Sequence, residues 1–229
     1  MGIGVRCVVI GLAAWAAFGF GTEPACADDS DTQQWSLLVV NKKLSERWLG
    51  YFEVQPRFGD NASDLERLLI RPAIGYRLSP KLSLWQGYAW TPLFSPFFDG
   101  EHRTYQQVLY DTSVGATGVV SRTRFEQRFI EGAGGTSHRV RSMLRLSHPI
   151  SRDRKWLAIG YDELFWNLNS TDNGPVRGFD QNRLFLGVGR QINSSLRVET
   201  GYMLNPVNRP RTRADRQLHN WVVQLTLNL

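Results

Sequence analysis

The last eleven residues read His219-Asn220-Trp221-Val222-Val223-Gln224-Leu225-Thr226-Leu227-Asn228-Leu229. Trp221, Val223, Leu225, Leu227 and Leu229 share one parity; Asn220, Val222, Gln224, Thr226 and Asn228 share the other. Successive side chains of a strand point to opposite faces, so this is a strand with one apolar and one mostly polar face. A helical period would scatter both sets around a cylinder.

The same parity recurs upstream. Leu196, Val198, Thr200, Tyr202 and Leu204 oppose Arg197, Glu199, Gly201, Met203 and Asn205. Leu68, Ile70, Pro72 and Ile74 oppose Arg67, Leu69, Arg71 and Ala73; Val140, Ser142 and Leu144 oppose Arg139, Arg141 and Arg145. Phe125 and Phe129 oppose Arg122, Arg124, Glu126 and Arg128. Extended in this way, the pattern predicts strands over 33–41, 47–58, 65–78, 81–94, 103–114, 118–131, 138–149, 155–168, 179–192, 195–206 and 216–229. Short connections near 44–46, 79–81, 116–117, 151–153 and 193–195 interleave with longer ones at 59–64, 95–103, 132–137, 170–178 and 207–213. Short turns on one side and long loops on the other mark an outer-membrane barrel, and a soluble β-sandwich has no reason to keep that order. Trp48, Phe58, Trp90, Phe94, Trp156, Trp166 and Trp221 lie toward strand ends, where interfacial girdles form.

The expectation is therefore an all-β protein, an antiparallel transmembrane β-barrel of ten to twelve strands. Bacterial single-chain barrels have even strand numbers, so either one of these eleven segments is not a strand, or residues 28–34 thread the lumen or add a strand. The acidic stretch Asp28-Asp29-Ser30-Asp31 is expected to be disordered at a new N-terminus.

That N-terminus comes from processing. Residues 1–27 carry one early cation, Arg6, an apolar run over 7–21 and Ala25-Cys26-Ala27, the small residues a signal peptidase needs. About 15 apolar residues fall short of the roughly 20 that span a bilayer as a helix. Cleavage before Asp28 leaves a single 28–229 barrel domain and removes both cysteines, Cys7 and Cys26. A secreted fold without disulfides must be closed by other means. The mean hydropathy of −0.31 is what alternating lipid-facing and lumen-facing residues average to.

The chain carries 23 Arg against 4 Lys and a formal charge of +6. In an exported protein that balance points away from nucleic acid and toward lipopolysaccharide phosphate, small anions or the chain's own carboxylates. The polar faces gather Glu53, Arg57, Arg67, Arg71, Arg77, Arg122, Arg124, Glu126, Arg128, Arg139, Arg141, Arg145, Arg197 and Glu199 as candidate lumen-lining residues. Arginine clusters suit carboxylate and phosphate, so these residues fit an anion path or binding cavity. The alternative is a lumen packed by arginine–carboxylate pairs, since small barrels are filled by side chains.

A catalytic reading finds little support. His102 and His138 fall in predicted loops. His148 neighbours Ser147, but adjacent strand residues face opposite ways. Asp162 and Glu163 are separated for the same reason, and no histidine–cysteine set suggests a metal or other cofactor. The readings carried forward are a structural or solute-interacting barrel of the bacterial outer membrane, a lipid-modifying barrel enzyme, and a soluble periplasmic binding sandwich.

Longer phrases carry a resemblance. Tyr105-Gln106-Gln107-Val108-Leu109-Tyr110, Arg124-Phe125-Glu126-Gln127-Arg128-Phe129, Tyr161-Asp162-Glu163-Leu164-Phe165-Trp166-Asn167-Leu168 and Asp180-Gln181-Asn182-Arg183-Leu184-Phe185-Leu186-Gly187-Val188-Gly189 follow one another along the chain. In that order they resemble the bacterial family called domain of unknown function 2490. The resemblance implies an outer-membrane β-barrel and brings no catalytic residues with it. The terminal strand also resembles the C-terminal signal read by the outer-membrane assembly machinery, with Leu229 where an aromatic residue is usual.

Overall fold

The computed structural model describes residues 29–94, 99–209 and 215–229. The expected signal peptide, residues 1–27, lies outside them. Eleven strands form one closed barrel: β1 (Asp29–Lys43), β2 (Trp48–Gly59), β3 (Asp64–Arg77), β4 (Leu82–Leu93), β5 (Asp99–Val114), β6 (Thr117–Ile130), β7 (Ser137–Pro149), β8 (Trp156–Asn167), β9 (Gly178–Gln191), β10 (Leu196–Val207) and β11 (Arg216–Asn228). Chain neighbours pair antiparallel around the cylinder. The closing seam is different: β1 runs parallel to β11, from Asp29 opposite Arg216 to Asn41 opposite Asn228.

An odd meander forces that seam, because its first and last strands point the same way. The total falls inside the expected range, while the even-number rule does not hold for this chain. Two further expectations are corrected here. Residues 29–34 neither thread the lumen nor form a separate strand; they lengthen β1. Asp29 and Asp31 are not a disordered tail, because Arg209 reaches Asp29 at 2.7 Å and Arg216 reaches Asp31 at 2.9 Å. These charge-assisted bonds hold the upper end of the seam.

Side-chain oxygens that accept backbone N–H groups organise several short turns. Ser45 Oγ accepts from Trp48 N at 3.1 Å, and Ser79 Oγ from Leu82 N at 3.1 Å. Asn193 Oδ1 accepts from Ser195 N and Leu196 N, both at 2.9 Å. In the turn before β8, Asp153 Oδ1 accepts from Lys155 N at 3.1 Å and from the Ser151 hydroxyl at 2.6 Å.

The two faces of the wall are inverted relative to a water-soluble barrel. On β11, Trp221 is 51% exposed and Leu225 41%, whereas Asn220 is fully buried and Thr226 is 2% exposed. Ile74, Leu84, Val108, Leu146 and Leu186 likewise project outward, while Glu126, Arg139 and Arg141 are buried inside. Exposed aromatics gather near both ends of the strands. Trp90, Phe129, Trp166 and Phe179 lie toward the long loops, and Trp48, Tyr110 and Trp156 toward the short turns. His102 and His138 belong to β5 and β7, not to loops. His102 and His219 each face a tyrosine, Tyr88 and Tyr202 respectively.

Candidate functional site

Half of the lumen is apolar. Trp35, Ile159, Phe185, Met203 and Val222 form a buried cluster contributed by β1 and β8–β11, with the Tyr161 and Phe185 rings stacked 4.8 Å apart. The other half is ionic. Wall residues shape both: a side chain at Gly87 would run into the Tyr105 ring, and one at Gly75 into Trp85, so glycine lets these aromatics lie flat against the wall.

The ionic half is a lattice in which nine arginines share six carboxylates. Glu126 on β6 sits at its centre, 1% exposed. Arg139 donates to it at 2.7 Å, Arg141 at 2.9 Å, and Arg124 lies 3.8 Å away. Arg141 also grips both oxygens of Glu163 at 2.9 Å, and Arg122 adds a bond of 2.7 Å to the same carboxylate. Toward the long loops, Arg103 and Arg128 clamp Glu101, and Arg139 reaches Asp180 at 2.7 Å. Toward the short turns, Arg71 pairs with Glu53 at 2.8 Å, which also accepts a hydrogen bond from Tyr51. Arg145 and Arg197 both bind Glu199, at 2.7 and 2.8 Å. Phe165 is 1% exposed, with the Arg141 and Arg183 guanidinium groups over its ring at 4.3 and 4.6 Å. Cation–π contacts of this kind gain strength where water is excluded.

Among the described residues, three cavities follow one another along the axis. One of about 270 Å³ lies toward the long loops, lined by Trp35, Arg57, Arg67, Arg103, Asp180 and Arg183 among others. A middle cavity of about 240 Å³ touches Tyr51, Glu53, Arg141, Glu163 and Glu199. The third, of about 530 Å³, lies toward the short turns beside Arg77, Tyr105, Asp111 and Arg124. Trp35, Arg57 and Arg183 line both the first and the middle cavity, and both guanidinium groups lie over the Trp35 ring, at 3.8 and 4.9 Å.

Of the sequence-derived candidates, Glu53, Arg71, Arg122, Arg124, Glu126, Arg128, Arg139, Arg141, Arg145, Arg197 and Glu199 meet in the lattice. Arg57 and Arg67 line the cavity nearest the long loops and stand outside the lattice. Arg77 lies at the far end of β3, donating to the Glu46 carbonyl at 3.4 Å. Sequence reasoning missed Glu101, Arg103, Glu163, Asp180 and Arg183. Glu101 falls in the expected 95–103 loop, which β5 absorbs, and Arg103 stands at the boundary between that loop and the expected strand. Glu163 and Arg183 had the right parity and were legible. Asp180 was not, because the β8–β9 register shifts beside Phe165 and Trp166. A bulge of this kind resets which residues face inward.

Comparison with known proteins gives a family and no activity. A protein of Methylorubrum extorquens described as uncharacterized is 33% identical over 197 residues, covering 84% of this chain and 86% of the relative. The family described as protein of unknown function, DUF2490, matches residues 32–216. With the match running from β1 to the first residue of β11, the chain belongs to the DUF2490 family.

Proposed function

We propose that this chain is exported by a signal peptide cleaved before Asp28 and inserts into the outer membrane of a Gram-negative bacterium. There it acts as a barrel whose packed, arginine-rich lumen engages small anionic solutes and catalyses no reaction of its own. The observation that carries this reading is the inversion of the wall: Leu, Ile, Val and Trp outside, Arg and Glu inside. In water that arrangement exposes a continuous apolar band and buries charge, both unfavourable. In a bilayer the outer band is solvated by lipid, and every strand edge is closed, as a membrane requires.

The aromatic ends of the strands and the alternation of short and long connections support the same reading. Lipid and lipopolysaccharide are the partners of the outer wall. The apolar-alternating β11 is the segment for the assembly machinery to recognise. The histidines favour a non-catalytic role: His102 and His219 point outward to tyrosines, His138 stacks on Phe125, and His148 bonds Thr117.

The test is gel mobility with cell fractionation. The folded protein should migrate differently unboiled and boiled, and sediment with outer membranes. Identical migration together with a soluble protein would overturn the reading.

A further inference from the structure

Nine lumen arginines share only six carboxylates, and Arg57, Arg67 and Arg183 at the loop-side cavity stand outside that lattice. Arg57, Arg67 and Arg183 make no ion pair among the described residues. Arg57 donates one hydrogen bond, from Nη2 to Gln55 Oε1 at 2.8 Å, while its Nε is buried without a partner. Arg183 Nε is likewise buried and unpartnered, its guanidinium lying over Trp35 and Phe165. All three line the cavity of about 270 Å³ nearest the long loops. Two carboxylates also line it, and both are engaged: Glu66 accepts from Gln33 at 2.9 Å, and Asp180 is held by Arg139 and Asn167.

Like charges collected in a low-dielectric space repel one another, and buried donors without acceptors carry a desolvation penalty. A multivalent anion relieves both. The planar guanidinium fork matches a tetrahedral oxyanion, offering paired N–H donors to neighbouring oxygens. Arg209 and Arg216 at this end are paired with Asp29 and Asp31, so the unpaired positive charge beside the chamber is that of Arg57, Arg67 and Arg183.

We propose that Arg57, Arg67 and Arg183 form a phosphate-class oxyanion site in the loop-side chamber, above the floor made by Trp35. This rests on the outer-membrane reading and deepens it by naming the ligand class and the residues. A second oxygen of the ligand can carry a small organic group, since the chamber exceeds the volume of phosphate itself. The ligand is a free solute phosphate, because the site opens into the lumen, whereas lipid headgroups lie outside the wall.

The experiment is calorimetric titration of full-length processed protein in a phospholipid-free, non-ionic detergent. Inorganic phosphate is the probe, and chloride at equal ionic strength controls for screening. One phosphate should bind per barrel. Arg57→Gln and Arg183→Gln should each weaken binding at least tenfold. Arg190→Gln removes the same charge from the outer wall, where Arg190 lies over Trp156, and should bind like the wild type. Heat-modifiable migration checks that each variant is folded. If a site variant does not fold, phosphate protection of the wild type against thermal unfolding, absent with chloride, carries the test. Equal responses to phosphate and chloride, equal loss in all three variants, or binding seen only with lipopolysaccharide micelles would overturn the site. A heat-modifiable barrel that ignores phosphate refutes this inference alone; a soluble, unmodifiable protein refutes the membrane reading.

Discussion

At the scale of single residues, Glu126 shows what the lumen demands. Its carboxylate answers Arg139, Arg141 and, at longer range, Arg124, so its removal strands guanidinium groups in a space they cannot leave. Breaking a buried pair by deleting one partner costs about 3–5 kcal/mol. Glu126→Ala should lower the unfolding free energy in urea by roughly that amount, followed by tryptophan fluorescence in lipid vesicles. A loss below about 1 kcal/mol, the scale of exposed pairs, would mean that water already solvates the arginines. The inward direction of Glu126 was legible from its parity with Arg124 and Arg128. Its partners were only half legible. Arg139 and Arg141 lie on the adjacent strand, but nothing local says which carboxylate each guanidinium will choose. Outside the strands, the Ser151 hydroxyl and the Lys155 backbone N–H hold the Asp153 carboxyl below the ordinary Asp range. Its support of that turn is present at neutral pH and fades as the pH falls below that range.

At the scale of elements, β1 is the strand whose behaviour the sequence least predicted. Its first half, Asp29-Ser30-Asp31-Thr32-Gln33-Gln34, is polar and looked like a tail or a lumen thread. Pairing with β11 supplies its backbone groups with partners, and Arg209 and Arg216 neutralise its acids. At the other end, Asn41 donates from Nδ2 to Asn228 Oδ1 at 3.0 Å. Both cysteines, Cys7 and Cys26, fall within the proposed signal peptide, so with it removed Asn41→Cys with Asn228→Cys gives an unambiguous register test. Under mild oxidation the pair should crosslink and shift the denatured protein on a non-reducing gel. A β1 threaded through the lumen would leave the two thiols apart and the gel unchanged. The outer wall has its own surprise: Gln127 donates to Gln106 and Gln106 to Gln86, both at 2.9 Å, while Thr104 donates to Gln127 at 2.8 Å. In the proposed membrane setting such a ladder would let amides face hydrocarbon, because each takes a partner from the next strand.

At the scale of the whole molecule, the question is whether the lumen conducts. The ionic lattice bridges strands that are not neighbours. Arg122 on β6 reaches Glu163 on β8, Arg139 on β7 reaches Asp180 on β9, and Arg145 on β7 reaches Glu199 on β10. Together with the Trp35 cluster these spans divide the interior into chambers. Reconstituted in a planar bilayer, the wild type should therefore show little conductance. Arg141→Ala removes the bridge between Glu126 and Glu163 and should raise conductance while shifting selectivity toward cations. An open arginine-lined path would respond the other way, with Arg141→Ala and Arg122→Ala lowering an anion current.

The sequence alone determined which face of each strand is apolar, where the turns fall and that arginine is collected on the inner side. These follow from period-two alternation, a property each strand carries within itself. Parity failed where bulges reset it, at Asp180 on β9 and at Glu66 on β3. Three things belonged to the tertiary structure: closure at eleven strands through a parallel seam, the pairing of each arginine, and the three arginines left beside a chamber. Each depends on the stagger of strands around a closed cylinder and on long side chains crossing it. Local pattern holds no information about distance across a lumen.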